Sequence, residues 1–155
     1  MIQRLQSIFL AIITMCMVAM LEGDIWIKSS PIDGQKLCTM CVWYLEIIQE
    51  NTFYFPHIFM GLFANIIALL SLYTVFKHEN RKLQMRLTLL NGLMLIGFIG
   101  LVIYLIIRNT LELLPSAVGQ YQFKCILPIV ALINVFLAYY FIKKDDRLVR
   151  SESIR

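Results

Sequence analysis

Charged residues are scarce in this sequence of 155 residues: 15% are Asp, Glu, Lys or Arg, whereas 59% are hydrophobic. Soluble domains carry about a quarter charged residues, so this composition predicts a protein that is solvated largely by lipid. The charges are also unevenly placed, because four windows contain almost none: 5–21, 57–76, 87–107 and 125–142. Each window is close to the roughly 20 residues that a helix needs to cross a membrane.

The four windows also lack the alternation of polar and apolar residues that is typical of membrane β-strands. Helices are therefore expected, because in lipid every backbone N–H and C=O must be paired within its own segment. The sequence predicts an all-α membrane protein, a single domain over residues 1–155 in which four transmembrane helices form a bundle. No small-x-small cleavage site follows the first window, so we expect that span to be retained.

Motifs of several enzyme and transporter classes are absent. The sequence has no phosphate-binding glycine loop, no HExxH and no GxSxG. Ionisable side chains are missing from the middle of every window, whereas proton relays and ion pathways usually keep such groups despite their cost. His57 stands at the edge of the second window, and a lone interfacial histidine is more often structural than a ligand. These absences disfavour a secondary transporter or a membrane hydrolase, and we expect no cofactor and no metal.

Positive charge is concentrated in three segments, because residues 1–4, 77–86 and 143–155 carry ten of the 14 Lys and Arg residues. The positive-inside rule predicts that both termini and the loop 77–86, KHENRKLQMR, lie in the cytoplasm. Six of the basic residues of this loop and of the tail 143–155 are candidate contacts for membrane lipid or a protein partner. They are Lys77, Arg81, Lys82, Arg86, Arg147 and Arg150. Nucleic acid is not an expected partner, since no nucleic-acid motif accompanies these residues.

Residues 22–56 form the only predicted external loop that is large enough to build structure outside the lipid. Asp24 to Lys28 alternates enough for a short strand, and the residues from Lys36 onward are rich in Val, Tyr, Trp and Ile. A small hairpin is therefore one interpretation. A short amphipathic helix lying on the membrane is the other. Either way, the sequence predicts a small structured external loop between helices 1 and 2.

Cys38 and Cys41 form a CxxC motif in this external loop. Such spacing can bring two sulfur atoms together, and the outer side of a bacterial membrane is oxidising. One interpretation is a quinone-linked thiol–disulfide oxidoreductase that uses this pair; a structural disulfide and two unreactive thiols are the alternatives. On a strand, however, residues three apart point to opposite faces. The second external cysteine pair of such oxidases is also missing, because only Cys125 remains on that side.

Three amides are candidates for polar packing within the membrane: Asn65, Asn91 and Asn134. Small residues recur beside them at helical spacing and would let helices approach closely. An amide without a partner is costly in lipid, so we expect Asn65 and Asn134 to face the interior of the bundle. A polar cavity around Asn65 and Asn134 would instead favour a small-molecule carrier.

Four segments together resemble a known family: MIQRLQSIF, NRKLQMRL, LPIVALI and FIKKDDRLVRSESIR. They are similar to domain of unknown function four-two-nine-three, an uncharacterised family of four-helix bacterial membrane proteins found mainly in Bacteroidota. The resemblance covers nearly the whole chain and implies an inner-membrane location. It supplies no activity, ligand or catalytic residue. The lack of ionisable groups within the spans, together with the small residues at helical spacing, favours a non-catalytic accessory, scaffold or assembly component.

Overall fold

The computed structural model describes residues 2–31, 34–48, 52–54, 57–77, 80–112 and 118–152. These residues form four α-helices, five β-strands and a 3₁₀ turn at Phe123–Ile126. The helices are α1 (Ile2–Leu21), α2 (Ile58–Phe76), α3 (Arg81–Glu112) and α4 (Leu127–Glu152). The strands are β1 (Asp24–Ser29), β2 (Lys36–Cys41), β3 (Leu45–Ile47), β4 (Thr52–Tyr54) and β5 (Val118–Tyr121).

Three helical stretches are long and apolar enough to cross a membrane: Ile58–Phe76, Arg81–Asn109 and Phe123–Arg147. The apolar part of α1 within the described residues, Gln6–Leu21, is shorter. By length and composition the chain is therefore a membrane protein. That α1 also crosses the membrane, as a fourth span, stays a prediction.

Each helix packs against two neighbours, in the order α1, α2, α3, α4 and back to α1. Small residues lie where helices meet, since Ala64 on α2 and both Ala131 and Ala138 on α4 have no exposed surface. A small side chain lets two helix backbones approach closely, which favours packing in lipid. Gly97 and Gly100 of α3 are exposed instead.

The five strands form one antiparallel sheet in the order β4-β3-β2-β1-β5. The hairpin interpretation of residues 22–56 is thus confirmed and enlarged, while the alternative of a helix lying on the membrane is wrong for the described residues. The all-α class is corrected to a helical protein with a sheet. β5 comes from the connection between α3 and α4, where Val118–Tyr121 pairs with β1. A segment of four residues is too short for its sequence pattern to predict a strand. Pairing with β1 therefore determines that these residues form one.

The sheet is fastened to the ends of the helices. The Trp43 indole Nε1 donates to the Leu21 carbonyl at the end of α1 at 3.1 Å, and its ring lies over Gly61 of α2. The backbone N–H of Gln122, just before α4, donates to the Ile25 carbonyl at 3.0 Å. Strand β1 is consequently buried on both faces from Ile25 to Ser29 rather than in alternation.

The connection between α2 and α3 is shorter than the predicted loop 77–86. Helix α3 already begins at Arg81, so the cations at positions 81, 82 and 86 are helical. The Asn80 side chain explains the early start, because its Oδ1 accepts a hydrogen bond from the Leu83 backbone N–H at 3.2 Å. Near the other end of the chain, α4 continues to Glu152.

Candidate functional site

The end of the bundle where α2 ends, α3 begins and α4 ends is called the basic end here, and the opposite end is called the sheet end. Among the side chains that the structure describes, five cations are exposed at the basic end: Lys82 and Arg86 on α3, and Lys143, Lys144 and Arg147 on α4. Helix geometry brings the two groups together, because α3 starts where antiparallel α4 finishes. Lys143 and Lys144 are not among the sequence-predicted contact residues.

The remaining candidate cations differ in their surroundings. Lys77 is half-buried, and its Nζ lies 5.4 Å from the centroid of the Tyr73 ring, within range of a cation–π interaction. Arg150 lies within α4, and its side chain is outside the described part of the structure.

Arg81 is engaged inside the protein rather than at its surface. Its Nη2 lies 3.3 Å from Oδ2 of Asp145, and its Nη1 donates to the main-chain oxygen of Asp145 at 3.0 Å. The two side chains are largely buried, at 22% and 13% exposure. Arg81 therefore links the start of α3 to α4, and its guanidinium is engaged there instead of being presented to a partner.

Similar side-chain links connect each neighbouring pair of helices at the basic end. They are Ser71 Oγ to Leu10 O at 2.8 Å, Gln84 Nε2 to Thr74 O at 3.4 Å, Gln6 Nε2 to Phe141 O at 3.3 Å, and the Arg81–Asp145 pair. Hydrogen bonds between helices in lipid contribute about 0.6–2 kcal/mol each. Together they close a polar ring around the bundle. Sequence position alone did not reveal this ring, because a polar residue near the end of a span is equally expected to face water.

The three candidate amides have different environments. The Asn134 side chain is buried, and its Nδ2 donates to the Val130 carbonyl of its own helix at 2.8 Å. Asn65 is half-buried and bonds its own helix in the same way, to Gly61 O at 3.0 Å. Asn91 has no exposed surface, and neither its Nδ2 nor its Oδ1 has a hydrogen-bond partner. Asn134 and Asn65 thus each donate a hydrogen bond to a carbonyl of their own helix, which gives no support to a shared carrier cavity.

A second group of polar side chains lies buried at the sheet end, in what we call the junction cluster: Lys28, Cys38, Met40, His57 and Asn109. Lys28 and Cys38 face each other across β1 and β2, and Met40 lies on the same face of the sheet. The Asn109 Nδ2 lies 3.4 Å from Met40 Sδ and 3.5 Å from His57 Nε2. The cluster therefore joins the sheet to the start of α2 and to the end of α3.

Burial sets the protonation of the junction cluster. Loss of solvent lowers the pKa of the Lys28 ammonium, whose residue is only 1% exposed. Burial raises the pKa of the Cys38 thiol, and the nearby Lys28 charge opposes that shift without cancelling it. Burial likewise lowers the pKa of His57, which keeps the imidazole neutral at pH 7. A neutral buried thiol is a poor nucleophile.

Cys41 does not share the environment of Cys38. It pairs with Asp24 across the sheet while Cys38 pairs with Lys28, and positions three apart on β2 point to opposite faces. The Cys41 Sγ donates to Asp24 Oδ1 at 3.3 Å. Burial, with the Asp24 hydrogen bond second, raises the pKa of Cys41 to about 11. All four cysteines are free thiols, so this geometry does not favour the interpretation of Cys38 and Cys41 as a redox pair.

Within the described ranges, no group of three or more His, Cys, Asp or Glu side chains is placed to hold a metal ion. Sequence reasoning missed Lys28 and Asn109 as buried polar residues. The available signal was the position of Lys28 inside an apolar strand, IWIK, where a charged side chain needs an unusual environment.

Comparison with known proteins gives one result. The family model described as Domain of unknown function (DUF4293) matches residues 2–153, nearly the whole chain. This match confirms the resemblance seen in the four sequence segments. No curated protein matches the chain.

Proposed function

We propose that this chain, which belongs to the DUF4293 family, is a non-catalytic accessory or assembly component of the bacterial inner membrane. In this proposal all four helices cross the membrane, with both termini and the basic end in the cytoplasm and the sheet outside. The clustering of ten of the 14 Lys and Arg residues in the segments 1–4, 77–86 and 143–155 supports that orientation.

The observation that carries the proposal is the contrast between buried chemistry and exposed charge. The nucleophilic and titratable side chains of the junction cluster are buried, and they hold the sheet against the helices. The exposed cations Lys82, Arg86, Lys143, Lys144 and Arg147 are instead free of the bundle's interior and share one end of it. A surface of this kind is suited to contacts with an acidic partner.

Two rigid features would help such a component to present its contact surface. The polar ring fixes the four helices relative to one another at the basic end. The fastened sheet fixes them at the other end. Because both ends are held, the cations on α3 and α4 are presented on a preformed surface, which lowers the entropy lost on binding.

Affinity purification from mildly solubilised native membranes tests this proposal. The protein with a terminal tag is compared with the double variant K82E/R86E, and the recovered proteins are quantified by mass spectrometry. We expect one defined set of membrane proteins to be enriched with the parent chain. Charge reversal should lower that enrichment at least tenfold, because rim charges control association.

The matched control is K36E, which reverses a cation at the sheet end whose side chain is 58% exposed. This variant should keep the enrichment of the parent chain. A tag placed on the captured partner should recover the parent chain and not K82E/R86E. Equal recovery of the partner by the parent chain and by K82E/R86E would contradict the proposal, as would no enrichment over an untagged strain.

A further inference from the structure

A groove runs along the outer surface of α3 and α4 and ends near the basic end. Its walls are Leu89, Leu93 and Ile96 on α3 and Leu132, Phe136 and Tyr139 on α4. Its volume is about 310 Å³, at the small end of the range for ligand pockets. Four of these six side chains are exposed large hydrophobic groups on the face that membrane lipid would cover.

The floor of the groove depends on a glycine. Gly92 lies between the two walls, and a Cβ atom there would come within 3.0 Å of Val135 Cγ1. The two helices therefore approach closely at this level, while the larger side chains on either side stand apart. The result is a concave apolar track rather than a flat helix face.

Positively charged side chains extend both walls of the groove at the end that is nearer the basic end. On α3, Arg86 precedes Leu89 by three residues, and Lys82 precedes Arg86 by four. On α4, Lys143 follows Tyr139 by four residues. Residues three or four apart share a helix face, so these side chains extend the rows of the walls. The Lys143 Nζ lies 5.8 Å from the centroid of the Tyr139 ring, which joins the charged row directly to the groove.

We propose that the groove between α3 and α4 binds an anionic phospholipid, with an acyl chain along the apolar track and the phosphate between the cations of α3 and α4. This inference deepens the proposed function, since it rests on the basic end being a contact surface and names the chemistry that one part of it meets. Lys and Arg beside a membrane interface are suited to acidic headgroups, and basic pockets between helices bind them.

A second copy of the chain is the competing occupant of the groove. A two-fold partner would bring its own Lys82, Arg86 and Lys143 against the same rows, because symmetric interfaces use the same surface twice. Like charges facing each other disfavour that contact. An anionic headgroup supplies the opposite charge, so the distribution of charge favours the phospholipid.

Native mass spectrometry of the full-length protein in mild detergent tests the site. Phosphatidylglycerol and phosphatidylcholine with identical acyl chains are the probes. We expect the parent protein to retain phosphatidylglycerol at least tenfold more than phosphatidylcholine. I96W and L93W fill the groove without changing charge and should lower phosphatidylglycerol retention at least tenfold. Position 96 is 54% exposed and position 93 is 68% exposed, so both variants should fold.

The control is L69W, which adds the same ring on α2 at a side chain that is 64% exposed and lies outside the groove. It should retain phosphatidylglycerol like the parent chain. R86E/K143E should reduce phosphatidylglycerol to the level of phosphatidylcholine. Unchanged retention by I96W and L93W would overturn the inference. So would equal binding of the two lipids, or a dimer of the parent chain that I96W dissociates.

The two proposals fail separately. I96W does not change the charge of the basic end. If I96W loses the lipid but still captures the protein partner normally, the result supports lipid binding in the groove and leaves the partner surface unaffected. If no partner is enriched but phosphatidylglycerol binding depends on the groove, the assembly role fails and the lipid site stands. If a partner is captured but the groove variants retain the lipid, the lipid site fails and the assembly role stands.

Discussion

The sheet end and the basic end use the same residue types in opposite ways. Lys28 at the sheet end is buried next to Cys38, whereas Lys82 and Arg86 at the basic end are exposed. At the sheet end, polar groups join two structural layers and their chemistry is suppressed by burial. At the basic end, buried polar groups link helices while a separate set of cations faces outward. The residue type therefore does not decide the role; its place in the fold does.

The two ends also differ in how their parts are held. At the sheet end the fit depends on close contact between an indole ring and a helix backbone, at Trp43 and Gly61. At the basic end the helices are linked by single hydrogen bonds and one ion pair. Close packing leaves no room for added atoms, whereas separate polar links can be lost one at a time. The sheet end should therefore be the more sensitive to a single added methyl group.

The largest effect should be the low reactivity of Cys41. We expect C16A/C38A/C125A, which keeps only this thiol, to react with a membrane-impermeant maleimide more than a hundredfold slower than an exposed thiol at pH 8. With the pKa of Cys41 raised to about 11, only about 0.1% of it is thiolate at pH 8, against about a quarter of a free thiol. The rate should rise about tenfold per pH unit between pH 8 and 10.

The control for this reaction is K36C in a chain whose four native cysteines are replaced by Ala. Its side chain should be exposed, as Lys36 is, and should react at the rate of a free thiol. In intact cells the same reagent reports which side of the membrane carries the sheet. Fast labelling of Cys41 at pH 8 would show that the sheet end is open, and the contrast between the ends would be lost.

Gly61→Ala should produce the next largest change. The new Cβ would overlap the Trp43 ring, which is held by its bond to Leu21. We expect a loss of about 2 kcal/mol in the free energy of unfolding, the usual scale for overpacking. Thermal unfolding in detergent measures it. Gly100→Ala is the matched control, because nothing lies within 4 Å of its new Cβ and Ala favours a helix. Equal melting of the two variants would contradict tight packing at the sheet end.

The smallest expected effect concerns Asn91, in the half of α3 that is nearer the basic end. Its amide is buried without a partner, so Asn91→Leu should raise the free energy of unfolding by about 1 kcal/mol. Asn134→Leu should raise the free energy of unfolding by less, because that amide already donates a hydrogen bond to Val130 O. Both are read from denaturant unfolding in micelles. A large loss of stability with Asn91→Leu would show that this amide has a partner, such as bound water or a ligand.

Parts of the fold that depend on one local pattern were predictable. The apolar windows gave α2, α3 and α4, because the period and length of an apolar run are read directly from the chain. The strand at Asp24 to Lys28 was also visible as alternation. Its inner place in the sheet and the burial of Ile25 to Ser29 were not, because they depend on β5 beside it and on the helix ends near it. Long-range pairing has no local signature.

The candidate site shows the same division. Lys82 and Arg86 were predicted as surface contacts from charge alone, and both are exposed. Arg81, one position away, carries the same charge and pairs with Asp145, 64 residues distant in the chain. No sequence rule separates Arg81 from its neighbours, since the choice depends on which face of α3 meets α4. Lys143 was missed for the complementary reason: only the folded pair of helices brings it beside Tyr139 and the groove.

The sequence by itself determined that the chain is a helical membrane protein of the DUF4293 family with its cations gathered in three segments, because hydropathy and charge are additive properties of local composition. Only the tertiary structure decided which of these residues are available. Burial of Lys28 and Cys38, the Arg81–Asp145 pair and the groove between α3 and α4 all arise where distant segments meet. Burial and pairing depend on neighbours in space, and a local sequence pattern does not reveal those neighbours.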